Sequence, residues 1–398
     1  MKKLKSLSII LVFLLISLIL LSFLSCTQDP STLRTYQLPE NIEDGLEVGT
    51  LNEVNIDKDL IEKSINDINR GKYGEVHSLL LYKDGKLVLD EYFTGHKYQW
   101  ERPGHLGDLI TWDSSEMHIL MSASKSITSA CIGIAIDNGF IESVDQLIFE
   151  YLPEYQHLAT GGREKITIEH LLTMNSGLDW DEWSAGKTGP ENDAVGIWFS
   201  DKDPISFILE LPLIYEPGTH FRYSSGDTIT LGEILRYATG MDLAEFSEKY
   251  LFEPLGINSF NWGERFPNGV IHCSGGLYLK PRDMVKIGVT FLNDGVWNGN
   301  QIVSEEWVKI SSVPFAYNTG IKVPGSDSGK RGYSYQWWTV QYTHSGQKAN
   351  MYFADGWGGQ NIMVFPELDT VVVFTGGNYT SSVKNFGILE KYILSAIE

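Results

Sequence analysis

Cysteine is scarce: the chain holds three in 398 residues. Beyond the N-terminal run only Cys131 and Cys273 remain, and neither sits in a Cys/His spacing. That excludes a disulfide framework and a cysteine-bound metal site. The nine histidines form no His-Glu-x-x-His and no other paired ligand spacing, so no metal is assigned. Basic charge is short as well, with Lys and Arg totalling 31 against 51 Asp and Glu, a formal net charge of −20. A phosphate backbone needs a basic surface, so nucleic acid is excluded as a partner, and broad electrostatic docking onto anionic lipid is disfavoured. No strand, glycine loop and helix combine into a nucleotide site, and no cofactor is implied. Internal repeats are absent.

Apolar material is plentiful. The chain is 42% hydrophobic and 12% aromatic, enough for a large core. One long apolar run extends from Leu7 to Leu24, after Lys2, Lys3 and Lys5 and before Ser25-Cys26. A basic start, an apolar stretch and a small residue before the cut read as an export signal over residues 1–26. Phe23-Leu-Ser-Cys26 is similar to a bacterial lipobox, in which Cys26 would be lipidated and become the new N-terminus; Phe23 departs from the usual leucine. The run is also long enough to span a bilayer, so an uncleaved anchor is the alternative. Either version puts the body of the protein outside the cytoplasm, tethered to a bacterial membrane through an N-terminal anchor and facing the periplasm or the exterior.

Residues 27–50 read as a polar tether and residues 56–72 as a short amphipathic helix, so residues 27–74 precede the main domain. Val76 to Phe93 predicts a hairpin turning at Lys83-Asp84-Gly85-Lys86, and Asn361 to Thr375 a second one turning at Pro366–Asp369. Helical patterns fill Ser122 to about Leu255, with loops rich in Trp, Asp and Gly between residues 176 and 204. Pro281–Leu292 reads as a helix with Asp283 in its first turn, and Ser382 to Ile397 as a helix packed on the sheet. Strands at both ends with helices between them predict an α+β fold. Its antiparallel sheet comes from about 75–110 and 265–398, flanked by helices, with an inserted helical region of about 115–265.

Ser122-Ala-Ser-Lys125 puts an amine one helical turn from a hydroxyl. It opens a run to Gly139 with Ile127, Cys131 and Ile134 at helical spacing and apolar residues on nearly every face, the mark of a buried central helix. Asn138-Gly139 supplies the stop, and Cys131 reads as a small buried hydrophobe. A desolvated lysine can take a proton and activate the serine, and the helix N-terminus favours a developing oxyanion. The Ser-x-x-Lys pattern alone is cheap: it recurs at Ser184–Lys187, Ser345–Lys348 and Ser381–Lys384. The first two contain glycine and read as loops, and the third reads as packing. Tyr223, in Pro217-Gly-Thr-His-Phe-Arg-Tyr-Ser-Ser-Gly-Asp227, stands between a turn and a helix, where its phenol can enter a cleft. A phenol beside an ammonium is expected to have a depressed pKa and to shuttle protons. Asp355-Gly-Trp-Gly-Gly-Gln360 is a glycine-rich loop before a strand, where backbone can approach a ligand closely.

In this order the three motifs resemble the serine β-lactamase and penicillin-binding-protein family, in its class C-like branch of carboxylesterases, D-aminopeptidase-type enzymes and 6-aminohexanoate-dimer hydrolases. The resemblance covers roughly residues 75–398 and includes Ile166 to Leu178, Ser274-Gly-Gly-Leu277 through Asp283, and Asp294-Gly-Val-Trp-Asn-Gly299. It implies a β-lactamase/transpeptidase-like fold with Ser122 as acylated nucleophile, Lys125 as its proton partner and Tyr223 as acid/base. The N–H groups of Ser122 and Gln360 would form the oxyanion hole, and Ser225, Trp357, Gly358 and Gly359 would contact substrate. Two departures matter. Tyr223-Ser224-Ser225 replaces the Tyr-x-Asn of the β-lactamases, and Trp357-Gly358-Gly359 stands where their Lys-Thr-Gly binds a substrate carboxylate. An indole in place of a cation points to a small-molecule ester or amide without a carboxylate at that spot. A DD-peptidase or β-lactamase is the alternative, and a penicillin-binding sensor that acylates without turnover is a second. Trp180, Trp183, Trp198, Tyr215 and His272 are read either as cleft or as core. The sequence does not set the oligomeric state.

Overall fold

The hairpin at Val76 is where the sheet begins, and its turn explains its register. Asp84 and Gly85 both have positive φ, +48° and +84°, as a two-residue turn matched to strand twist requires. In the computed structural model, residues 33–184 and 189–397 are described. The leader, Cys26 and Lys187 lie outside them. Eight strands form the main sheet: β1 (Val76–Lys83), β2 (Lys86–Tyr92), β3 (Ile321–Lys322), β4 (Lys330–Tyr333), β5 (Trp338–His344), β6 (Gln347–Gly356), β7 (Gln360–Phe365) and β8 (Thr370–Gly376). They lie in the order β3-β4-β5-β6-β7-β8-β1-β2, each pairing antiparallel. The sheet is therefore built from N- and C-terminal pieces, as the pattern predicts, joined where Leu80 faces Val373.

Strand periodicity divides the core in two. Leu80, Tyr82, Ile362, Val364, Val371 and Val373 face one layer. Leu79, Leu81, Met363, Phe365, Val372 and Phe374 face the other. The longer helices are α1 (Lys58–Asn69), α2 (Ser124–Asp137), α3 (Ser225–Thr239) and α4 (Pro281–Leu292). α2, α3 and α4 contribute to the first layer. A Cβ on Gly288 of α4 would stand 2.5 Å from Val371, so the absent side chain sets how closely that helix lies on the sheet. α1 and the C-terminal helical residues 385–396 cover the second face.

Two expectations are corrected. Thr94–Tyr98 and Leu106–Thr111 form a two-stranded sheet of their own, and His118–Ile119, Leu277–Leu279 and Phe260–Trp262 a three-stranded one. The main sheet accordingly draws on less of 75–110 and 265–398 than predicted. Residues 36–50 are also not a free tether. Leu46, Leu51 and Val54 are buried, Val48 bridges Leu87, and Asp44 pairs with Arg282 at 2.8 Å. A few apolar residues spaced through a polar stretch suffice to hold it down, and Tyr36–Glu398 forms one compact unit.

Candidate active site

The small three-stranded sheet delivers the chain into α2. Leu120 N–H donates to Leu277 O, and Met121 follows with φ +48°, a left-handed conformation costing a non-glycine residue roughly 1–2 kcal/mol. A 3-10 turn, Met121–Ala123, leads into α2, so Ser122 stands at the helix entrance while the helix itself is buried. Its serines and threonines are satisfied by neighbouring backbone: Ser126 donates to Gln336 O, Thr128 to Cys273 O and Ser129 to Tyr335 O, at 2.7, 3.0 and 2.8 Å. This accounts for a buried helix that is so polar in composition.

Lys125 Nζ donates to Ser122 Oγ at 3.0 Å and to Ser274 O at 3.0 Å. Burial pulls its ammonium down to about 8, against the opposing pull of Glu182. The Nζ lies 4.9 Å from the centre of the Tyr223 ring. Tyr223 just precedes α3, whose N-cap is Ser224. The expected depression of its phenol is not what the structure has. Burial and then Glu182 push Tyr223 well above its ordinary value, with a hydrogen bond to Ser122 pulling the other way. The phenol is a proton-bearing group here, and the lysine is the group poised to lose a proton. Asp227, one turn into α3, is pushed up to about 8 by burial; it accepts from Ser176 and Ser224.

The Trp357-Gly358-Gly359 turn between β6 and β7 is pinned at each carbonyl. Gln360 Nε2 donates to Trp357 O at 3.1 Å, Asn378 N to Gly358 O at 3.0 Å, and Asn385 Nδ2 to Gly359 O at 3.0 Å. Asn385 also donates to Asn361 Oδ1 (2.8 Å), and Asn361 to Asp355 Oδ1 (2.8 Å). Asp355 Oδ2 receives the buried Arg331 guanidinium at 2.5 Å. Gly358 and Gly359 have φ of +91° and +105°, and a Cβ on Gly358 would lie 2.5 Å from the Tyr379 ring. A Cβ on Gly356 would fall 2.1 Å from Leu120 O, so this end of β6 lies directly against the segment that enters Ser122.

A cavity of about 580 Å³ opens over Ser122, and Tyr223, Ser225, Trp357 and Ser274 line it. Of the expected residues, Lys125 stands buried behind the serine. Gly358, Gly359 and Gln360 form the turn and are not in the lining, and the Gln360 side chain bonds Gly376 on both sides. Trp183, Trp198 and His272 line the cavity. Trp180 is buried, and Tyr215 stacks on His220. Cys131 is fully buried, as read. Ser345 turns the β5–β6 hairpin with φ +48°, and Ser381 bonds Asn378, so neither further Ser-x-x-Lys pattern copies the Ser122 geometry. Glu182, Glu264, Asp355, Trp338 and Phe199 also line the cavity. Reading by motif spacing misses the three acids of the lining, because they come from loops and a strand end with no periodic signal. Among the described residues no group of three His, Cys, Asp or Glu could hold a metal ion.

The β-lactamase family model matches residues 76–384. A 6-aminohexanoate-dimer hydrolase of Paenarthrobacter ureafaciens is 28% identical over 273 residues, 65% of this chain and 65% of that protein. Esterase EstB of Burkholderia gladioli is 30% identical over 146 residues, 35% of this chain and 36% of its own length. The chain thus aligns with less than two thirds of the length of these relatives. Among solved structures, the D-amino acid amidase from Ochrobactrum anthropi superposes with a TM-score of 0.60 at 18% identity, covering 85% of this chain and 98% of that one. A family VIII carboxylesterase gives 0.63 at 16%, covering 84% and 96%. These likenesses carry the fold, and the family match over most of the sequence places this chain in the β-lactamase family.

Proposed function

We propose that the protein is a serine hydrolase that cleaves an ester or amide through an acyl-enzyme on Ser122. The observation that carries this is the 3.0 Å contact of a desolvated Lys125 Nζ with Ser122 Oγ, beneath a cleft that Tyr223 also lines. The neutral amine takes the serine proton as Oγ attacks the carbonyl. The oxyanion falls to the Ser122 and Gln360 N–H groups. Tyr223 gives its proton to the leaving alcohol or amine, and the neighbouring Lys125 ammonium, its Nζ 4.9 Å from the Tyr223 ring centre, returns one to the phenolate. Water then attacks the ester of Ser122 by the same groups in reverse. The relatives named 6-aminohexanoate-dimer hydrolase and esterase EstB support a hydrolase of this kind.

The test is covalent labelling. A fluorophosphonate should add once, at Ser122, and Ser122→Ala should abolish both the adduct and hydrolysis of p-nitrophenyl butyrate. Undiminished hydrolysis by Ser122→Ala would refute the reading. Robust nitrocefin turnover without esterase activity would favour the β-lactamase or DD-peptidase alternative, and a stable adduct with negligible turnover the sensor. We further propose export and lipidation at Cys26. Radiolabelled palmitate should enter the wild-type chain and not Cys26→Ser, and equal labelling of the two would reject lipidation at Cys26.

A further inference from the structure

We propose that the substrate of this cleft carries a cationic nitrogen beside the scissile bond and no carboxylate there, an inference that rests on Ser122 being the nucleophile. The cleft has three aromatic walls. Trp183 stacks on Tyr223 at 4.9 Å and 16° and lies 6.4 Å from Trp338. Trp198 packs 4.2 Å from Phe266 and 5.3 Å from His272. Trp357 meets Tyr98 at 6.4 Å and Tyr379 at 5.3 Å, edge to face.

Each wall brings a carboxylate. Glu182, beside the first, accepts from two neutral donors, Trp180 Nε1 at 2.6 Å and Ser225 N at 2.9 Å. It has no ion pair among the described residues. Glu264, on the second, lies 2.8 Å from His272 Nδ1. Asp355, near the third, is engaged by Arg331. Among the described residues, the Arg and Lys side chains at the cleft are already committed. Arg265 is tied to Asp242 at 2.9 Å and to Gly269 O at 3.1 Å, and Lys125 is turned into Ser122 and Ser274. A carboxylate entering here would leave water for ring faces and other carboxylates, which is costly. An ammonium would meet ring faces whose negative quadrupole attracts it, with Glu182 and Glu264 at their edges. The 580 Å³ volume admits the ammonium on a short arm next to the scissile bond.

The experiment compares three p-nitrophenyl phosphonates that differ in one arm: trimethylammonioethyl, its uncharged 3,3-dimethylbutyl isostere, and carboxypropyl. The second-order rate of labelling at Ser122 is followed by intact mass and peptide mapping. The ammonium arm should label about tenfold faster than the isostere, and the carboxylate arm about tenfold slower. The ammonium advantage should shrink in about 0.5 M salt and in Glu182→Gln and Glu264→Gln. Each comparison is a ratio to the neutral arm, so a partial loss of fold cancels. An isostere as fast as the ammonium arm, or a carboxylate arm faster than the isostere, overturns the proposal while leaving Ser122 as nucleophile. Failure of all three to label Ser122 overturns the catalytic reading itself, and this inference with it.

Discussion

A lysine sealed from water gives up its proton far more readily than one at the surface, and Lys125 at about 8 is such a group. In the proposed mechanism its neutral form is the base, so kcat/KM should climb with pH through about 8 and level off above it. Lys125→Arg should lower kcat/KM by about 10²–10⁴ and abolish that limb, read from a pH–rate profile. Asp227 makes the opposite demand on stability. Its folded pKa is raised above the unfolded value, so its contribution is present below about pH 4 and is lost as pH rises toward about 8. Asp227→Asn should therefore flatten the decline between those limits and gain about 2–5 kcal/mol near pH 8, measured by urea unfolding. That Ser122, Lys125 and Tyr223 come together was legible because one helical turn and one loop-to-helix junction constrain them. The direction of the Tyr223 shift was not. It depends on burial and on Glu182, which no local pattern reveals.

At the scale of elements, the turn proposed to hold the oxyanion is set from outside. Asn385 belongs to the C-terminal helical residues yet holds Gly359 O, and the Asn361–Asp355–Arg331 chain holds Asn385 in turn. Asn385→Leu should lower kcat by about 10–10²-fold with KM little changed, because a misaimed N–H weakens the transition state more than the ground state. Steady-state kinetics on the folded variant checks this, and a rise in KM at constant kcat would refute it. Gly288→Val should cost about 1–3 kcal/mol by pushing α4 off Val371, read in thermal or urea unfolding. Both hairpins, α1, α2 and α4 followed from turn residues and periodicity. Where Asn385 and Arg331 point did not, because partners on separate elements leave no mark in spacing.

For the molecule as a whole, Arg282 is the buried tie between the N-terminal segment and the sheet. It pairs with Asp44 at 2.8 Å and Asp90 at 3.2 Å. Removing it with Arg282→Ala strands two carboxylates and should cost about 3–5 kcal/mol, with faster protease cleavage between residues 36 and 56. The sequence suggested a tether there because its composition is polar; a few anchoring apolar residues and one distant arginine decide otherwise. The pairing of β1 with β8 has a consequence in time. During synthesis the first hairpin emerges with one long edge open, and its partner arrives only after the more than 270 residues between Tyr92 and Thr370 have been made. The nascent chain must wait with an adhesive border exposed, so its production in cells should depend on holding chaperones far more than its finished stability would suggest.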